Sequence, residues 1–113
     1  MKKGDFKRVF ESGRKFSSKF LVIYLLPVGL DFSRLGLAVG KKTGCAVTRN
    51  RIKRRLRESM RRRLTDRPVK YDFVIVARTA AADAEFSDLD RFIARTLAGL
   101  DNEGNTDSHT KII

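Results

Sequence analysis

The sequence is poor in the parts from which protein catalysts are usually built. It has no tryptophan, one cysteine and one histidine. Cys45 alone cannot close an internal disulfide, and with no CxxC pattern there is no thiol set for zinc, so a small, partly buried residue is expected there. His109 stands near the C-terminal end and far along the chain from Cys45. Nucleophilic and imidazole-based acid–base schemes therefore lack their components. Long hydrophobic runs are missing too. The longest, Phe20 to Leu26, is far short of the roughly 20 residues a membrane helix needs, and the first residues lack the apolar core of a signal peptide. A chain that stays in the cytoplasm is the expectation.

What is abundant is positive charge. The 113 residues carry 25 Lys and Arg against 13 Asp and Glu, a net charge of +12. Such a field attracts phosphate and gains affinity by releasing condensed counterions. Its distribution is uneven: residues 1–65 hold 19 of the 25 cations and only 4 of the 13 acids. A merely solubilising surface mixes its signs, so this segregation points to one face for a polyanion. Binding to a membrane surface is disfavoured, because no segment pairs the cations with a broad Trp, Phe and Leu face.

The length supports one domain, with residues 1–100 as the folded unit. Asp5 to Ser12 reads as a short helix, with Phe6, Val9 and Phe10 at i, i+3, i+4 and Gly13 as its stop. Lys15 to Lys19 suits an edge strand, and Phe20 to Leu26, closed by Pro27, a longer one. After a loop over Val28 to Ser33, Arg34 to Gly40 alternates Leu35, Leu37 and Val39 with Gly36, Ala38 and Gly40, a strand with one bulky face and one nearly bare. Ala46 to Leu64 has neither Pro nor Gly, and Ile52, Leu56, Met60 and Leu64 recur every fourth residue, so the longest helix is expected there, ended by Asp66, Arg67 and Pro68. Tyr71 to Ala77 is apolar on both sides of the pleat, as in a central, covered strand. Ser87 and Asp90 form a capping-box pattern ahead of a last amphipathic helix that buries Leu89, Phe92, Ile93, Leu97 and Leu100, with Gly99 or Gly104 to close it. Residues 101–113 read as a disordered tail. The fold class is α+β: a two-layer sandwich with the element order α-β-β-β-α-β-α, a mixed four-stranded sheet and both larger helices on one face.

The chemistry concentrates in Lys41 to Glu58, which reads KKTGCAVTRNRIKRRLRE, a glycine-containing turn running into a cation-dense helix. At 100° per residue Lys53, Arg54, Arg57 and Arg61 fan over one flank of the apolar stripe, while Arg51, Arg55 and Arg62 cover the other, with Glu58 as the acid among them. Like charges this close destabilise an isolated helix, so a neutralising partner is expected, and guanidinium forks suit RNA phosphates. A DNA-binding helix is the weaker reading, since no helix-turn-helix partner or dimer seam stands beside it. The acids Asp83, Glu85, Asp88 and Asp90 could be imagined as a two-metal nuclease site, but acids at a helix start normally cap it.

The string from Lys41 to Glu58, centred on Arg49-Asn50-Arg51, resembles the signature of the bacterial ribonuclease P protein family. Asp5-Phe6 and Val9-Phe10 followed by Gly13 are similar to that family's N-terminal helix, Phe20 to Leu26 to its aromatic strand, and Tyr71 to Arg78 to its inner strand. Relatives usually carry several more residues, often basic, before the Asp-Phe pair, where Met1 to Gly4 stand here. The resemblance implies an RNA-binding cofactor of a ribonucleoprotein endonuclease that removes the 5′ leader from precursor tRNA. It implies a left-handed β-α-β crossover in the sheet. Arg49, Asn50, Arg51, Lys53, Arg54 and Arg57 would contact the catalytic RNA, and Phe6, Phe10 and Tyr24 would receive the single-stranded leader; physically, a helix N-terminus with Lys41 and Lys42 nearby also favours RNA phosphate. By spacing alone, two phenylalanines four apart on a helix are more often core than a stacking platform. The chemistry would then belong to the RNA subunit, with magnesium held mainly by RNA phosphates. The rival reading is a structural, ribosomal-type RNA-binding protein without a processing role.

Overall fold

The computed structural model describes residues 3–30, 32–64 and 70–112, the side chains of 101–112 excepted. Three helices and four strands follow in the expected order: α1 Lys3–Ser12, β1 Arg14–Ser17, β2 Leu21–Pro27, β3 Arg34–Val39, α2 Ala46–Leu64, β4 Tyr71–Ala77 and α3 Phe86–Ile112. Two short 3-10 turns, Lys41–Thr43 and Thr79–Asp83, precede α2 and α3. The sequence pattern did not mark them, because a three- to five-residue turn has no periodicity to read.

The sheet order is β1-β2-β4-β3. β2 runs antiparallel to both β1 and β4, while β3 and β4 are parallel neighbours. A parallel pair requires a crossover, and here α2 supplies it. The two inner strands are those richest in branched apolar residues, and the short outer strand β1 carries Arg14 and Lys15, charges that discourage further pairing.

Alternation places Leu21, Ile23 and Leu25 of β2, in register with Ala77, Ile75 and Phe73 of β4, on one face. That face meets Ile52, Leu56 and Met60 of α2 and Leu89, Ile93, Leu97 and Leu100 of α3 in a single core. Because the apolar stripe of α2 is narrow, a polar tie reinforces the helix pair: the buried Ser59 hydroxyl donates to Asp90 Oδ1 at 2.6 Å, and Arg63 reaches Asp90 Oδ2 at 3.0 Å.

The start of α3 differs from expectation. Its first turn is held by Asp88, whose carboxylate accepts the Glu85 N–H at 3.0 Å, so the reach-back sits two residues earlier than a Ser87–Asp90 box. Asp90 is committed to α2 instead. Gly99 does not stop the helix, which continues past it. The expected helix stop at Asp66, Arg67 and Pro68 and the loop residue Asp31 lie outside the described residues, whereas α3 runs on through the stretch expected as a tail to Ile112, where side chains, that of His109 among them, are not described.

Candidate RNA interface

Two features flank the less covered side of the sheet, and each follows from local sequence. The first begins where β3 ends. Gly40 leads into the turn Lys41–Thr43, Thr43 is buried, and Gly44 adopts φ 150°, a conformation that L side chains rarely adopt. A Cβ at Gly44 would also meet the Thr48 side chain at 3.0 Å. This turn aims Lys41 and Lys42, both exposed, ahead of the N-terminus of α2, where backbone N–H groups favour an anion. Cys45 lies at that same end, exposed rather than partly buried. The Thr48 backbone N–H, then the Thr48 hydroxyl, hold its thiol below the ordinary thiol range.

Along α2 the cations divide. Asn50, Arg54 and Arg57 are exposed, and Arg49, Arg51 and Lys53 are half-buried. Arg54 and Arg57 line an open hollow whose floor is Leu35, Met60 and Leu64. On the opposite flank Arg51 Nη2 donates to the Ala82 carbonyl at 3.2 Å and Arg55 Nη1 to the Ala84 carbonyl at 3.1 Å, while Arg62 lies 5.6 Å from the Phe86 ring centroid. Arg61 and Arg62 pair with Glu58. One flank is thus partly spent on the chain's own carbonyls, and the other faces outward. Arg51, grouped by sequence with the RNA contacts, has this internal partner as well.

Arg78 is a cation that sequence reasoning passed over. β3 and β4 are parallel, so their carboxyl ends share one edge of the sheet. There Arg78 joins Lys41 and Lys42 around a hollow of about 590 Å³, with Gly40, Thr43 and Thr79 also lining it. Crevices at the carboxyl ends of parallel strands are common ligand sites. The signal was available: Arg78 directly follows a central strand.

The second feature is a cleft between α1 and the sheet. Of the three apolar residues on α1, Val9 is the buried one. Phe10 is 45% exposed and Phe6 half-exposed. Phe10 meets Tyr24 of β2 edge-to-face at 4.8 Å between centroids, and Phe6 lies 6.4 Å from Phe10. Lys15 Nζ stands 5.9 Å from the Tyr24 ring centroid. The structure therefore brings Phe6, Phe10 and Tyr24 together at the surface rather than in the core. Beside them lies the small-residue side of β3, where Gly36 is buried and Ala38 partly exposed, next to Val74 and Val76.

Charges also tie α1 down. The Asp72 side chain, fully buried, accepts Arg34 Nε at 2.7 Å and Arg34 Nη2 at 2.6 Å. Arg8 bridges Asp72 at 3.4 Å and Asp5 at 3.1 Å, and Arg34 also reaches Asp5 at 3.4 Å. The hydrogen bond to Asp72 is the main reason the Arg34 guanidinium is even more basic than usual.

The acidic stretch 83–90 does not converge on a metal. Asp88 caps α3 and Asp90 binds Ser59 and Arg63. Among the described residues no three His, Cys, Asp or Glu side chains form a set that could hold a metal ion. Nor, among these residues, is any helix long and apolar enough to cross a membrane.

The family model described as Ribonuclease P matches residues 1–101. The ribonuclease P protein component of Clostridioides difficile strain 630 is 44% identical over 94 residues, covering 81% of this chain and 82% of the relative. That of Caldanaerobacter subterraneus subsp. tengcongensis is 42% identical over 93 residues, with coverage of 82% and 80%. The solved RNase P protein of Staphylococcus aureus superposes with a TM-score of 0.78 at 30% identity, covering 87% of this chain and 90% of that one.

Proposed function

The chain belongs to the ribonuclease P protein family, and from that premise we propose that it docks on a catalytic RNA through the outward flank of α2 and receives the 5′ leader of precursor tRNA in the cleft under α1. The observation that carries this reading is the pairing of Phe10 and Tyr24 at the surface, on a sheet face where Ala38 and Val76 keep part of their surface in solvent. Aromatic rings of this kind offer every base a π-face, so they hold a single strand without demanding a sequence. Lys41, Lys42 and Arg78 neutralise phosphates at the end of that face, while Asn50, Arg54 and Arg57, with Arg49, Arg51 and Lys53 behind them, meet the folded RNA.

The contribution of the protein is positioning and charge neutralisation. Bond cleavage is assigned to the RNA subunit, and magnesium to its phosphates, since the carboxylates Asp88 and Asp90 are engaged within the fold. Bringing cations to a crowded polyanion lowers the repulsion that opposes both substrate and metal binding. This work is placed in the cytoplasm.

Reconstitution with the catalytic RNA tests the reading. The chain should stimulate cleavage of precursor tRNA at low magnesium. Binding to the RNA without any stimulation of leader removal would instead favour the structural, ribosomal-type role.

A further inference from the structure

Helix α1 carries two of the three rings of the cleft, yet little apolar packing holds it. Ten residues are too few for a helix to persist alone in water, Val9 is its buried residue, and the main core of β2, β4, α2 and α3 includes no residue of α1. Two other devices fix its place. At its C-terminal end Gly13 packs so closely that a Cβ there would lie 2.7 Å from the Leu25 carbonyl oxygen of β2. At its N-terminal end Asp5 and Arg8 join Arg34 of β3 and Asp72 of β4 in a closed ring, each guanidinium reaching both carboxylates.

The ring has zero net charge, so these two arginines add little to the field that attracts RNA. Its burial is graded: Asp72 is wholly enclosed, Arg34 and Asp5 are mostly covered, and Arg8 is half in solvent. A buried carboxylate needs its cationic partner, which makes the Arg34–Asp72 pair a fixed post in the sheet. Asp5 and Arg8 then moor α1 to that post. Resting on the leader-cleft reading above, we infer that Asp5, Arg8, Arg34 and Asp72 are positioning residues for the leader, setting where α1 sits and hence how Phe6 and Phe10 face Tyr24 across the cleft. None of the four touches the leader itself.

The variant Asp5→Asn/Arg8→Gln cuts the mooring and leaves the post paired. With the reconstituted holoenzyme, KM and kcat are measured for a precursor with a long leader and for one with a single-nucleotide leader. KM for the long leader should rise about fivefold or more, the equivalent of about one stacked base, with kcat and the short-leader KM unchanged. No rise, or an equal rise for both substrates, overturns the inference. Tyr24→Ala is run alongside. If it raises only the long-leader KM while the ring variant does not, the positioning role alone is wrong; if it too fails to discriminate, the cleft reading falls and the inference with it. Should the double variant not fold, Arg8→Gln alone, at a half-exposed site, gives the same comparison.

Discussion

The two faces of the sheet are made of similar residues and end in opposite conditions. On one, Leu21, Ile23, Leu25, Phe73 and Ile75 are sealed beneath α2 and α3, none more than 1% exposed. On the other, Val22 and Val74 are buried, but Tyr24, Leu26, Ala38 and Val76 keep part of their surface in solvent. The difference lies in the cover: two long amphipathic helices over the first face, one ten-residue helix over the second. A strand that is apolar on both sides needs both sides covered. The incomplete side here is the one beside which the aromatic rings and the outward cations gather.

Substitutions on opposite faces should therefore fail in different ways. Phe73→Ala removes the largest fully buried side chain and should cost about 3–5 kcal/mol of stability, read as a lower denaturant midpoint. Tyr24→Ala, across the same sheet, should leave most of that stability intact and cost about 1–3 kcal/mol of leader affinity. Leader and leaderless tRNA titrated against the reconstituted particle measure it. Equal losses for both ligands would make Tyr24 a core residue like Phe73 and erase the distinction between the faces.

The strands and the two long helices were legible because their patterns are local: the fourfold recurrence of Ile52, Leu56, Met60 and Leu64, and the unbroken run of Tyr71 to Ala77. The cleft was less so. Phe6, Val9 and Phe10 are all apolar at helical spacing, and nothing in that spacing says that Val9 goes in while Phe10 stays out. The rotation of α1 depends on Asp5 meeting Arg34 and Arg8 meeting Asp72, residues up to 64 positions away. Nor could sequence divide the flanks of α2. The acceptors of Arg51 and Arg55 are backbone carbonyls of Ala82 and Ala84, and a carbonyl leaves no trace in residue type. The Ser87–Asp90 box failed for a related reason, since Asp90 had a stronger claim from Ser59 across the helix pair.

That division of α2 sharpens the comparison on the RNA side. Arg51→Ala should lower stability by about 0.5–1.5 kcal/mol through the lost bond to Ala82 and also weaken assembly with the catalytic RNA. Arg54→Ala, on the outward flank, should leave the unfolding midpoint in place and flatten the salt dependence of assembly by about 0.7–0.9 per lost phosphate contact. Paired melts and salt titrations test both. If Arg51→Ala is the variant without a stability change, or Arg54→Ala leaves the salt slope unaltered, the two flanks do not differ as the hydrogen bonds imply.

The smallest effect expected is kinetic, and it reports on the end of α2 without a substitution. Cys45 is exposed, and hydrogen bonds from Thr48 lower its thiol from the ordinary value. Since the thiolate is the reactive form, its alkylation rate should rise through a midpoint on the acid side of an unperturbed thiol. Docked RNA would place phosphates beside Lys41, Lys42 and Arg49, both shielding the sulfur and disfavouring its anion, so alkylation should slow on addition of the catalytic RNA and return at high salt. An unprotected Cys45 in the assembled particle would move the docking surface away from the helix N-terminus, onto the flank of Arg54 and Arg57 alone.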